Sequence, residues 1–179
     1  MTLQWISIIL GLLAFCGGVI GLLRPAYIKR FAELFPRSVV PAWILMALCC
    51  WLGAKEALEM NMGFMDAYKK YIYILAPGVF VASVVYMKEL LAPRALGGFL
   101  LLIAVPILQE ARWHESAWRL VVVVLAYLWI IYGLLLLLSP WWFRKTYQPL
   151  LGNQALFKAT AYGKAAFGLI LLFLGIFIY

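Results

Sequence analysis

The sequence predicts an all-α, polytopic membrane protein of about six transmembrane helices in three hairpins, with short interfacial helices after spans one and five. Three observations carry this. Of 179 residues, 67% are hydrophobic and only 12% charged, against roughly half and a quarter in an average soluble domain. A soluble domain of about 150 residues hides only about two-thirds of its chain surface, so this composition in water would leave large apolar patches exposed. The apolar residues also fall into runs of spanning length. Finally, 8 Trp, 10 Tyr and a mean hydropathy of +1.00 fit rings gathered where membrane meets water. The whole chain, 1–179, reads as one transmembrane domain with hairpin units at about 1–58, 71–109 and 117–179.

The spans run approximately from Thr2 to Leu23, Pro41 to Leu58, Tyr71 to Met87, Ala95 to Gln109, Ala117 to Ser139 and Phe157 to Tyr179. The fourth is short of the roughly 17 residues a crossing needs. It gains length from a helical turn through Glu110 to His114 or sits in a locally thinned bilayer, and four or five spans remain open alternatives. The first run is expected to be a retained helix, because no Lys or Arg precedes Arg24 and no small-x-small cleavage site follows. Phe15 puts a bulky ring where a lipoprotein box before Cys16 wants a small residue. Gly17-x-x-x-Gly21 and the Gly11/Gly18 pair give this helix a flat face for close packing, and Gly168 and Gly175 do the same for the last.

Charge sets the orientation. The net charge is +8, which basic residues held on the cytoplasmic side explain without nucleic acid. Alternate loops collect Arg24, Lys29, Arg30, Arg37, Lys88, Arg94, Arg144, Lys145, Lys158 and Lys164 on one side. The other side holds Lys55, Lys69, Lys70, Arg112 and Arg119. Glu33 and Glu89 lie beside the first group; Glu56, Glu59, Asp66, Glu110 and Glu115 lie beside the second. The more basic side is therefore expected to be cytoplasmic and both termini exterior.

A hinge recurs as Leu22-Leu23-Arg24-Pro25, Leu90-Leu91-Ala92-Pro93 and Leu137-Leu138-Ser139-Pro140, each ending an odd-numbered span. Proline stops one helix or starts the next. After the first and third hinges the match extends to Pro-x-aromatic-apolar-basic-basic, and the next span begins about sixteen residues past the proline. The intervening segments predict short helices in the headgroup layer. Tyr27, Ile28, Phe31, Leu34 and Phe35 recur at helical spacing, with Lys29, Arg30, Glu33 and Arg37 opposite; Trp141, Trp142, Arg144 and Lys145 form the second copy. The middle hairpin, Lys88 to Gly98, reads as a tight turn. The two matching hairpins run in the same direction, unlike the inverted pair of many secondary transporters.

The stretch from Gly133 to Tyr179 resembles the YjeT-like proteins, small two-helix bacterial inner-membrane proteins of unassigned function. The likeness rests on Gly133-Leu134, Leu138-Ser139-Pro140-Trp141-Trp142-Phe143-Arg144-Lys145, Leu156-Phe157-Lys158, Gly163 and Gly168, with an echo in Gly21 to Trp51. It implies bacterial origin and the hairpin unit, and supplies no catalytic residues.

Candidates for chemistry are few. His114 is the single histidine, which excludes a bis-histidine haem or multi-histidine metal centre within this chain; it reads as an exterior surface residue four positions from Glu110. Ser7, Ser38, Ser83, Ser116 and Ser139 lack a matching His and acid for nucleophilic catalysis. Asp66 is the single aspartate, and no phosphate-binding or dinucleotide glycine pattern occurs. Cys16, Cys49 and Cys50 lie in apolar runs, and adjacent Cys49 and Cys50 point about 100° apart on a helix. No enzyme activity, cofactor or metal is expected.

Candidate transport residues are Lys55 and Glu56, with Glu59 one turn beyond Lys55, together with Pro77 beside Gly78, and Pro106; prolines free backbone carbonyls for an ion or solute. The simpler readings are an interfacial ion pair and ordinary proline kinks, with Lys164 as a snorkelling side chain, since no acidic residue lies near mid-membrane. The expected function is a non-catalytic integral membrane subunit or scaffold that packs in a larger bacterial membrane complex and anchors it to lipid. A small-solute or ion transporter or channel component is the alternative. The expected partners are anionic lipid headgroups and other membrane subunits or further copies of the chain.

Overall fold

A computed structural model describes residues 2–60, 63–86 and 91–179. The protein is all-α: its elements are α1 (Leu3–Leu23), α2 (Pro25–Leu34), α3 (Val39–Glu59), α4 (Ile72–Tyr86), α5 (Leu91–Arg112), α6 (Arg119–Leu138), α7 (Trp141–Gly152) and α8 (Gln154–Phe177), with 3-10 turns at Phe35–Arg37 and Gly63–Tyr71 and no strand among the described residues. Met1, Met87, Lys88, Glu89 and Leu90, which the span, charge and hinge readings use, lie outside the described residues, as does the side chain of Arg37.

Five helices, α1, α3, α5, α6 and α8, are long and apolar enough to cross a membrane. At 1.5 Å per residue, 20 residues already cover the roughly 30 Å hydrocarbon core. α4 is described over 15 residues, Ile72–Tyr86. The run Ala95 to Gln109, expected to be short, lies inside α5, which has 22 residues and extends beyond it at both ends. Leu91 and Ala92 are buried, and Pro93 sits in the first turn, where an α-helix has no use for a proline N–H. At the far end the Arg119 guanidinium donates to the carbonyls of Arg112 (2.9 Å) and His114 (2.7 Å), satisfying acceptors the helix terminus leaves open. The expected turn over Lys88 to Gly98 is thus helical from Leu91 onward.

The proline segments fold as helices in both copies. α2 starts on Pro25 itself, and α7 follows Pro140 directly. The spans after them, α3 and α8, both begin fourteen residues beyond the proline, at Val39 and Gln154, two residues earlier than the sixteen expected. Asn153 caps α8, its side-chain oxygen accepting from the amides of Ala155 (3.0 Å) and Leu156 (3.3 Å). Gly63, at φ +59°, makes the left-handed turn into the 3-10 segment before α4, a conformation that favours glycine.

The chain forms two compact units. One comprises Met1–Leu34, Ala104–Trp129 and Trp141–Tyr179. Its centre is the packing of α1 on α8. Gly175 meets Gln4 and Ile8, Gly11 meets Gly168 and Leu172, and Gly18 meets Ala161 and Ala165; as one helix advances the other recedes, so the pair is antiparallel. The backbones touch: a Cβ on Gly18 would lie 2.7 Å from the Ala165 nitrogen, and one on Gly168 would run into the Phe15 backbone. Lipid tails are as apolar as leucine, so membrane helices associate through such close contact rather than through exclusion of water.

The second unit comprises Phe35–Ile103 and Ile130–Pro140. Gly97 and Gly133 bring α5 and α6 to backbone distance, since a Cβ on Gly97 would lie 2.6 Å from the Gly133 carbonyl oxygen. α3 lies against α5 in the same direction. The Cys49 thiol donates to the Ala95 carbonyl at 3.3 Å and faces Gly98, and one turn further along both helices Gly53 faces Leu102. α4 packs on α3 and buries no residue fully.

Candidate functional site

The basic-aromatic helices are built to face two environments. On α2, Ala32 turns inward, while Tyr27, Phe31 and Leu34 stay exposed at i, i+4 and i+7, which is one stripe of a helix. Arg24 lies over the Tyr27 ring at 5.7 Å. On α7, Phe143 is buried, whereas Trp141, Arg144 and Lys145 are exposed. The Lys145 ammonium sits over both indoles, 5.1 Å from Trp141 and 4.5 Å from Trp142, geometry in which the ring faces attract the cation.

Lys29 departs from its expected place among headgroup-facing residues. Its ammonium donates to the Leu151 carbonyl at 2.9 Å and lies 5.6 Å from the Phe157 ring. Leu151 belongs to the last turn of α7, where carbonyls lack helical donors and a cation meets the negative end of the helix dipole. Lys29 therefore ties α2 to α7 and α8, while Arg30 on the same helix remains exposed. Replacing Lys29 with Met should lower stability by about 1.5–3 kcal/mol, the range of a hydrogen bond involving a charged group. Thermal unfolding in detergent, compared with Lys158→Met, checks this; equal stability of the two variants would show the bond to be idle.

Of the packing glycines, Gly11, Gly18, Gly168 and Gly175 lie in the α1–α8 seam at backbone contact. The Gly17-x-x-x-Gly21 motif does not supply the closest approach. A Cβ on Gly21 would be in ordinary contact with Ala161 at 3.4 Å, and Gly17 makes room for the Lys164 ammonium, 3.1 Å from where its Cβ would stand. The seam follows a seven-residue repeat, Gly11 and Gly18 against Ala161, Gly168 and Gly175. Ala161 escapes a search for glycines alone, although continuing that period backward from Gly168 reaches it.

The candidate transport residues separate into groups. Lys55 and Pro77 line one groove of about 510 Å³ between α3 and α4. Small side chains open it, namely Ala47, Cys50 and Ala54 on one helix and Ala76 on the other, with Trp51 and Phe80 as walls. Tyr73, at the Lys55 end of the lining, is a residue the sequence reading missed. Because Pro77 has no N–H, the Tyr73 carbonyl one turn earlier loses its usual helical donor. Lys55 is half exposed and pairs with Glu59 at 3.7 Å. Glu56 is not among the lining residues. Pro106 lies inside α5, in the portion belonging to the other unit.

His114 serves its own loop. Its Nδ1 accepts from the Ser116 amide at 3.2 Å, and its ring meets Tyr179 edge-on at 5.0 Å. The Tyr179 hydroxyl donates to the Trp118 carbonyl at 2.7 Å, and burial pushes its pKa above the ordinary tyrosine value, which keeps the donor protonated. Among the described residues no group of three His, Cys, Asp or Glu is placed to hold a metal. No family model, curated protein or solved structure matches the chain.

Proposed function

We propose that this chain is a non-catalytic subunit or scaffold of a bacterial inner-membrane complex, crossing the bilayer six times in three hairpins with both termini outside. The observation that carries it is a second small-residue face on α8. Ala161, Gly168 and Gly175 are taken by α1, but Ala155, Ala159, Gly163 and Ala166 are exposed, and a Cβ on Gly163 would meet nothing within 4 Å. Their spacing of four, four and three residues puts them on one side of the helix, the composition membrane helices use to bring a partner to backbone distance.

Helix direction supports the count of six. Two crossings that lie parallel must be separated by an odd number of others, and antiparallel ones by an even number. With the five long helices crossing, the same direction of α3 and α5 and the opposite directions of α1 and α8 each favour a crossing by α4. The sequence division of ten basic residues against five favours the α2 and α7 side as the cytoplasmic one. The two proline-led helices, equal in their offset to the next span, act as a repeated anchor, with Tyr27, Phe31 and Trp141 in the acyl boundary and Arg30, Arg144 and Lys145 toward anionic lipid. The resemblance of residues 133–179 to YjeT-like hairpins agrees with a bacterial inner membrane.

Extraction in mild detergent followed by native mass measurement tests the subunit reading. A complex heavier than one chain is expected, and Gly163→Leu should release the partner without lowering the thermal stability of the chain itself. A wild-type protein that emerges only as a lone monomer would sink the proposal.

A further inference from the structure

We propose that the groove between α3 and α4 holds one acyl chain of a phosphoethanolamine lipid, with Lys55 and Glu59 reading its headgroup. The groove runs along α3 from Ala47 to Leu58, about 16 Å at the helical rise. Its volume of about 510 Å³ lies within the range of ligand sites, roughly 300–1,000 Å³. α3 is long and apolar enough to cross a membrane, so the apolar stretch of the groove opens at hydrocarbon depth, where an acyl chain is the solvent. The small residues Ala47, Cys50, Ala54 and Ala76 leave a gap that the side chains of neither helix fill.

Lys55 is the charged residue in the lining, and its ion-pair partner Glu59 stands just beyond it. Lys55 lies one turn before Glu59, the last residue of α3, which places the two carriers of opposite charge at headgroup level. Their separation of 3.7 Å, with both side chains more than half exposed, makes a weak ion pair that a zwitterion can open at little loss, phosphate going to the Lys55 ammonium and the lipid amine to the Glu59 carboxylate. A primary ammonium has N–H bonds to give to the Glu59 carboxylate. A trimethylated choline has none, and a glycerol headgroup offers no positive charge to Glu59. An anionic lipid would meet Lys55 but face Glu56 and Glu59 nearby, so the acid-base pair favours the zwitterion.

The site rests on the membrane-spanning reading of α3 and does not depend on a protein partner, so it stands or falls separately from the subunit proposal. The test is native mass measurement of the protein with phosphatidylethanolamine, phosphatidylcholine and phosphatidylglycerol of equal chain length, added in turn. The expected result is one retained phosphatidylethanolamine, preferred over each of the others by roughly fivefold, the effect of one near-surface charge. Glu59→Gln should abolish the preference over phosphatidylcholine, Lys55→Gln should weaken all three lipids, and Lys158→Gln should change nothing. Ala76→Phe, which fills the groove, should remove retention whatever the headgroup. Equal binding of the three lipids by the wild type, or a headgroup preference unaltered by Glu59→Gln, would overturn the proposal, and the latter remains readable if the filled variant does not fold.

Discussion

Replacing Gly168 with Ala is expected to destabilise the protein by about 2 kcal/mol or more, whereas Gly163→Ala, five residues away on the same helix, is expected to be neutral or stabilising. Overpacking a tight contact typically costs about 1–3 kcal/mol, and Gly168 belongs at the upper end because the new methyl meets backbone. It would run into Phe15 and stand 2.8 Å from the Gly11 carbonyl oxygen, neither of which can rotate aside. At Gly163 nothing lies within 4 Å, so only the gain in helix propensity remains, at most about 1 kcal/mol. Gly17→Ala forms an intermediate case, since the obstacle there is the movable tip of Lys164. Thermal unfolding of the variants in one detergent ranks them, and a Gly168→Ala protein as stable as Gly163→Ala would mean that α1 and α8 are not in backbone contact.

The second large effect is topological. The described part of α4, Ile72–Tyr86, covers 15 residues or about 22 Å of helix, with Pro77 inside it, against a core of roughly 30 Å. Hydrophobic mismatch costs fractions of a kcal/mol per Å through local thinning of the bilayer and snorkelling of flanking residues. Leaving α4 uncrossed has a much larger consequence: one of α3 and α5 would have to reverse, breaking the Cys49, Ala95 and Gly98 contact and the Gly53 and Leu102 contact together. The same failure would set α1 and α8 parallel and undo the alignment of Gly11, Gly18, Gly168 and Gly175. Any mismatch at α4 is the smaller penalty, so residues flanking α4 are expected on opposite sides of the membrane.

The positions of the helices were legible because a run of apolar residues bounded by charges is itself the physical requirement for a span. The ends of α1, α3, α4, α6 and α8 fall within three residues of the expected limits. α5 was misread at Leu91 to Arg94, where a proline and an arginine mimic a turn and the helix survives because the proline occupies its first turn. Partner choice was not legible. Gly11 and Gly18 announce a flat face, yet any glycine face can meet any other, and only the geometry brings α8 to it. Lys29 shows the same limit, since its partner is a carbonyl 122 residues away and sequence spacing carries no record of such a bond. The groove was hidden for a further reason: it consists of volume missing from two helices at once, at Ala47, Cys50, Ala54 and Ala76, and each small residue alone reads as ordinary packing.

The most direct measurement labels two single cysteines, Lys70→Cys and Lys88→Cys, in a background with Cys16, Cys49 and Cys50 replaced, using a membrane-impermeant maleimide on intact spheroplasts and on inverted vesicles. Six crossings with exterior termini predict that the Lys70 position reacts from outside and the Lys88 position only from the cytoplasmic face. Reaction of both positions from the same side would contradict the account.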